Sequence, residues 1–406
     1  MVLSPTDVEP CPKHAQNMTR KRASPHWSTS LFGVMRTLGK LQVPQAPRAL
    51  KTAGRTIRSS AKKAQPPRGA GTWNAGIAFG PAGARRYQLL RPPNVGFAER
   101  LPLVVMLHGC GQDANAFALS THMNRLAVRE RFMVLYPEQD RLANLQGCWN
   151  WYDTDSRRAF AEAATINAAV DQVCALYRAD PARMALAGMS AGASMAALMA
   201  LRTPTRFKAV AMHSGVPPGT AHSALSALRA MQGRGGSAAA GSAASTRPGP
   251  DAPWPPLLVI HGTADRVVAP SNGEAAAQLW AEAAGAERTP SRTVQRGQRR
   301  AMTVTDFKCR GRTQATLCSV EGMGHAWSGG SAGQPFCDAT GPDASAMVWA
   351  FAARQFAQHP VERVAEPAAK RAEKEAEKGS AKTTNPSGLS NGGAGGLRHH
   401  LEIRRK

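Results

Sequence analysis

MALAGMSAGASMAALMA, Met184 to Ala200, begins as an apolar strand-like run, turns at Gly188-Met189-Ser190-Ala191-Gly192 and continues as a helix-forming run of small residues. A strand, a tight turn with serine at its apex and a helix make a nucleophile elbow. Ser190 is therefore the candidate nucleophile. A serine hydroxyl attacks poorly at neutral pH unless a base stands beside it and N–H donors receive the charge that develops. Gly188 and Gly192, which lack a Cβ, allow the strand and helix to pack closely around such a turn. The pattern G-x-S-x-G recurs at Gly329-Gly330-Ser331-Ala332-Gly333, but no β-type run precedes it, and Gln334-Pro335 stands where a helix would begin. Ser331 reads as a loop residue.

On this scaffold a serine elbow is followed in the chain by an acid and then a histidine. Leu257 to Gly262 (LLVIHG) is a short apolar run of the buried parallel-strand kind, and Asp265 lies just past its end, at the edge of the sheet where catalytic groups gather. Asp265 is the expected orienting acid; its alternative role is to cap a helix over Asn272 to Ala284. Asp306 and Glu321 are rivals, each expected inside a strand. Thr316 to Val320 reads as the last strand, and Gly322-Met323-Gly324-His325 as the loop after it. His325 is the expected base, while His213, His222 and His261 are read as structural. Two N–H donors would hold the oxyanion: that of Ala191, after the nucleophile, and that of Cys110, in the loop following the strand Leu103 to Leu107.

These segments resemble the polyhydroxybutyrate depolymerase family of esterases, related to acetyl-xylan and feruloyl esterases within the α/β-hydrolases. The resemblance runs from about Arg85 to Gln358 through LVVMLHGCGQDA, QGCWNWY (Gln146 to Tyr152), LAGMSAGASMAA, HGTAD and VEGMGHAWSGG. It implies a Ser190-His325-Asp265 triad, a Cys110–Cys148 disulfide pinning the oxyanion loop, and a carboxylic-ester hydrolase that uses neither metal nor cofactor. The implied substrate is a polyhydroxyalkanoate or short hydroxyacyl ester; a feruloyl or acetyl-xylan ester is the alternative. Trp149, Trp151 and Trp327 are assigned to the acyl side of the cleft, the alternative for each being a core aromatic. A non-catalytic granule or membrane surface protein that kept the fold is the reading from another class.

Composition bounds the rest. The chain has 406 residues, 43% hydrophobic, enough for one large core, and no apolar run approaches a membrane span of about 18 residues. Strand-like and helix-like segments alternate through Phe132 to Tyr136, Arg158 to Tyr177, Met184 to Ala187, Ala191 to Leu201, Phe207 to His213, Leu257 to His261, Thr303 to Phe307 and Ala346 to Phe356. That order predicts an α/β-hydrolase, a mostly parallel sheet with helices on both faces.

A catalytic domain is expected over residues 73–360, interrupted by a Gly/Ala/Ser/Pro-rich insertion at 233–255. Residues 1–72 form a basic arm, with 13 Lys and Arg against 2 Asp and Glu, which contributes +11 to the net charge of +24. The tail over 361–406 runs through alternating Glu and Lys into Gly/Ser-rich sequence; both termini are expected to be disordered. In the arm, Leu31, Val34, Met35, Leu38 and Leu41 recur at helical spacing beside Arg36 and Lys40. Such a helix suits a granule or membrane surface; the alternative is a solvated linker. No motif points to specific nucleic-acid binding, and the oligomeric state is left open. Met1 to Ala15 lacks the basic-then-apolar order of a secretion signal, so a granule-associated cytoplasmic site stands beside the extracellular or periplasmic one that the resemblance implies. Seven cysteines leave at least one unpaired in a monomer.

Overall fold

The computed structural model describes residues 69–234 and 253–358. Nearly all of the basic arm, the centre of the insertion and the whole of the 361–406 tail lie outside the described residues, and with them the Leu31 to Leu41 pattern. The chain divides into two compact units, Met1–Ala353 and Arg354–Lys406. Every candidate site residue belongs to the first.

Four short strands, β3 (Leu101–Leu107), β4 (Met133–Pro137), β6 (Ala209–His213) and β7 (Leu257–Gly262), are buried at every residue. A strand without an exposed residue needs cover on both faces, which parallel sheets obtain from crossover helices. With β5 (Ala179–Met189) and β11 (Arg312–Val320) they form the parallel centre of the sheet, in the order β4-β3-β5-β6-β7-β11. Antiparallel strands extend both sides: the hairpin β1 (Thr72–Gly80) and β2 (Gly83–Arg91) next to β4, and β10 (Met302–Cys309) next to β11, with β8 (Glu287–Arg288) and β9 (Arg292–Val294) paired to β10. A small parallel pair, β12 (Trp327–Ser328) and β13 (Cys337–Asp338), stands apart.

The helices are α1 (Ala114–Thr121), α2 (Met123–Glu130), α3 (Arg158–Tyr177), α4 (Ala191–Arg202), α5 (Ala224–Met231), α6 (Ser271–Ala284) and α7 (Ala344–Gln358). Helix α3 packs on β1, β2 and β5, α4 on β5 and β6, and α6 on β7 and β11. Asp113 caps α1 by accepting a hydrogen bond from Ala116 N at 2.8 Å. No helix among the described residues is long and apolar enough to cross a membrane.

Strand β5 is longer than its apolar stretch predicts, starting at Ala179 rather than Met184. Its register against β3 skips from Leu101↔Ala179 to Leu103↔Met184. Within that skip Asp180 accepts from Ala182 N and pairs with Arg183, so side-chain hydrogen bonds carry the strand past Pro181.

Candidate active site

Ser190 stands between β5 and α4 with φ 54° and ψ −121°, a backbone conformation costly to any residue but glycine. Strain of that kind persists only where the surroundings impose it. Here the peptide N–H of Ser190 donates to His213 O at 2.9 Å, and both glycines of the turn stand against backbone. A Cβ on Gly188 would come within 2.4 Å of Gly192 C, and one on Gly192 within 2.1 Å of Leu107 O. The elbow is pressed against the end of β3, where the candidate oxyanion loop begins.

That loop is tied at several points. Gly109 N donates to Gln112 Oε1 at 3.0 Å, Gln112 N to Gly109 O at 3.3 Å and Gly111 N to Gln146 O at 2.8 Å. Cys110 and Cys148 form a disulfide with a Cα–Cα separation of 4.3 Å. The N–H of Cys110 makes no hydrogen bond among the described residues, and that of Ala191 is a first-turn helix donor with no partner inside the helix. Gly109 borders the elbow, since a Cβ built on it would lie 3.6 Å from Ser190 Cβ.

Asp265 follows β7 and His325 follows β11, adjacent parallel strands. His325 Nδ1 lies 2.8 Å from Asp265 Oδ2. A carboxylate only accepts, so the ring donates from Nδ1 and keeps its lone pair on Nε2, the nitrogen a general base uses. The other carboxylate oxygen accepts from Val267 N and Val268 N, both at 2.9 Å, and His261 Nε2 lies 3.5 Å from Oδ2. Burial alone would raise the Asp265 pKa, but hydrogen bonds from His261, His325 and the backbone outweigh it and hold the carboxyl well below its usual range. The capping alternative is not realised: Pro270 occupies the N-cap of α6, and Asp265 is fully engaged in its own turn. Ser190 Oγ is not hydrogen-bonded to His325, a contact that in serine hydrolases often tightens only with substrate bound.

The rivals are otherwise engaged. Asp306, within β10, pairs with Arg292 and accepts from Thr316. Glu321 falls one residue past β11, not inside it, and is exposed. Ser331 lies in a turn, its N–H on Ser120 O. No cluster of three or more metal-ligating side chains occurs among the described residues.

The three tryptophans assigned to the cleft are buried, as the core alternative expects. Trp149, Trp151 and Trp327 are 0%, 8% and 1% exposed. Trp149 packs on His108 at 5.4 Å between ring centroids, Trp151 lies edge-on to Tyr152, and Trp327 lies between His213 and Phe117. Their large apolar surfaces pack against these aromatic neighbours.

Residues that sequence reading passed over brace the loops of the candidate site. His108, at the end of β3, accepts from Gln139 N at Nε2 and so donates from Nδ1 to Gly109 O; burial pushes its pKa down. Glu162, buried in α3, accepts from Asn150 N, Asn150 Nδ2 and Gln139 Nε2 and faces Arg85 at 3.7 Å, which fixes the segment that carries Cys148. Ser194 Oγ accepts from Val216 N and ties α4 to the loop after β6. An invisible partner explains the omission, because each acts across more than ten residues of chain.

A family model described as esterase PHB depolymerase matches residues 85–297. Among curated proteins, the chain is 33% identical over 207 residues to poly(3-hydroxyalkanoate) depolymerase C of Paucimonas lemoignei, an alignment covering 50% of each protein. It is 28% identical over 217 residues to a probable acetylxylan esterase A of Aspergillus fumigatus, covering 50% of this chain and 55% of that one. Against feruloyl esterase B of Neurospora crassa it is 29% identical over 202 residues, covering 47% and 68%. The chain thus spans about half the length of the first two of these relatives. An acetyl xylan esterase structure from Aspergillus awamori superposes with a TM-score of 0.53 at 22% identity, covering 63% of this chain and 94% of that one, and shares its fold.

Proposed function

The chain belongs to the esterase PHB depolymerase family, and from that footing we propose that it hydrolyses carboxylic esters through a serine acyl-enzyme. Ser190 Oγ attacks the ester carbonyl while His325 Nε2 takes its proton. Asp265 keeps the imidazole in the Nδ1–H tautomer and stabilises the cation that forms. The oxyanion is received by the N–H groups of Cys110 and Ala191. Collapse of the tetrahedral intermediate expels the alcohol with the proton from His325, and water then repeats the cycle on the acyl-enzyme. The observation that carries this reading is the 2.8 Å His325–Asp265 hydrogen bond at two strand ends neighbouring a strained serine elbow.

The favoured substrate is a polyhydroxyalkanoate or a short hydroxyacyl ester, supported by the family and by the depolymerase relative. Acetyl or feruloyl esters of plant polysaccharides are the second reading, supported by the acetylxylan and feruloyl esterase relatives. A 3-hydroxybutyrate oligomer, an acetyl ester and a feruloyl ester compared on the same enzyme preparation separate the two by kcat/KM. Ser190→Ala is expected to reduce turnover on the preferred ester by about 10³-fold or more with binding intact. Undiminished cleavage by that variant removes Ser190 from the mechanism.

A further inference from the structure

His213 ends β6, the strand between the one that carries Ser190 and the one that carries Asp265, with Met189↔His213 and His213↔Ile260 in register. It is 2% exposed, and every polar atom it has beyond its own N–H is engaged with the site's loops. Its carbonyl oxygen accepts from Ser190 N at 2.9 Å. Its Nε2 accepts from Ser328 N at 3.1 Å, and its Nδ1 lies 3.2 Å from Ser214 Oγ. Its ring stacks on Trp327 with centroids 4.9 Å apart and planes 23° apart. One residue thus holds the nucleophile's backbone with its own backbone, and with its ring grips the chain two and three residues beyond His325.

We propose that His213 is a positioning residue that sets the height of the His325 loop over Ser190, through acceptance of the Ser328 N–H by its Nε2. The proposal rests on the serine-esterase reading above and deepens it. A peptide N–H can only donate, so the ring must present a lone pair at Nε2 and carry its single proton at Nδ1, toward the Ser214 hydroxyl. Ser328 is itself held on its far side, where its hydroxyl donates to Pro342 O at 2.6 Å. Trp327 Nε1 donates to Ser345 Oγ, whose hydroxyl donates to Thr121 O. The loop is fastened outward by these bonds and inward by His213. Loss of the inward bond leaves a buried N–H unpaired and frees the segment to shift outward, carrying His325 with it. Small displacements of a base suffice to slow proton transfer strongly, because the reacting atoms must be within hydrogen-bond reach.

Two amide substitutions separate this role from simple packing. The Gln amide reaches the position of imidazole Nε2 and can accept from Ser328 N; the Asn amide reaches only that of Nδ1. His213→Asn is expected to lower kcat on a soluble ester about tenfold or more with KM within about twofold, and His213→Gln to stay within about threefold of the parent. The proton shared by His325 Nδ1 and Asp265, followed by NMR on the same samples, is expected to persist in the Gln variant and to shift or broaden in the Asn variant. Equal kcat in the Asn variant and the parent overturns the proposal. So does equal loss in both variants, or failure of both to fold, since ring volume and not the acceptor would then be what matters. A parent protein that cleaves no ester refutes the serine-esterase reading instead, and the NMR comparison still decides the placement.

Discussion

Converting Cys110 and Cys148 together to serine opens the link that closes the oxyanion loop onto the Gln146 to Trp151 segment, and the cost follows from the chain it encloses. With a sequence separation of 38, the loop-closure relation gives about 13 cal/mol/K of lost constraint on the unfolded chain, or about 3.9 kcal/mol at 25 °C. For a domain of this size about 2 °C accompanies each kcal/mol, so the melting temperature is expected to fall by about 8 °C. The folded loop should survive the loss in part. Gly111 N on Gln146 O and Gly109 N on Gln112 Oε1 remain, at about 1 kcal/mol each. The Cys110 N–H is then loosened, not removed, and kcat should drop about tenfold, short of the 10²–10³ that follows deletion of an oxyanion donor. Thermal melts by circular dichroism and turnover of a soluble short ester, measured on parent and double variant, supply both numbers. A shift below about 2 °C, with mass spectrometry showing the parent fully bonded, would refute the entropic reasoning. Unchanged turnover beside the full thermal shift would show that the hydrogen bonds alone hold the donor.

Two further outcomes concern stability. His213 is held neutral, burial first and the neighbouring His261 and His325 next pushing its pKa down to about 3, so between about pH 6.5 and 3 the unfolded chain binds a proton that the folded one refuses. Stability is therefore complete above that window and lost as pH falls through it, by about 2 kcal/mol per such histidine between pH 7.5 and 5. His108, shifted the same way by burial, adds to the slope, and the depressed Asp265 carboxyl extends it below the ordinary aspartate range. Urea unfolding at the two pH values checks the sign, and a slope that His213→Gln leaves unaltered would contradict it. Gly192→Ala places a methyl 2.1 Å from Leu107 O and 2.6 Å from His108 O, both backbone atoms of a central strand and its loop. A cost of about 3 kcal/mol is expected by urea titration, and a change below 1 kcal/mol would mean that α4 can back away from β3.

How much could be read in advance depended on how local each constraint is. The elbow was legible because Gly188, Ser190 and Gly192 are needed within five residues for one turn. Asp265 and His325 were legible because each follows an apolar strand at a short, fixed distance. The β1–β2 hairpin was not among the expected elements: TWNAGIAFG is the outermost strand of its side of the sheet, and its mixed exposure gives no clean period of two. Helices α1, α2 and α5 were not among the expected elements either, each being only eight residues long. The packing of the tryptophans was illegible for another reason. Trp327 owes its burial to Phe117, His213 and Ser345, and no local pattern announces neighbours so far away along the chain.

The strand order explains why a brace is needed at the end of β6. Along β3-β5-β6-β7-β11, the loops after the first two carry the proposed oxyanion donors and nucleophile, and those after the last two carry the proposed acid and base. In that assignment β6 contributes no reacting group. Yet β6 lies between the half of the proposed site that attacks and the half that moves the proton, and its hydrogen-bonded pairing with β5 and β7 sets their spacing. Backbone ladders set that separation laterally, with neighbouring strands about 4.8 Å apart, but not vertically, because loops beyond the strand ends leave the ladder behind. A side chain at the end of β6 that accepts from the loop after β11 supplies the missing coordinate. Since a peptide N–H is the donor, that side chain has to be an acceptor able to work in a dry interior without a charge, which excludes lysine, arginine and an ionised carboxylate. A neutral imidazole meets the requirement and adds a flat face for Trp327, and this is why a histidine that performs no chemistry belongs at position 213.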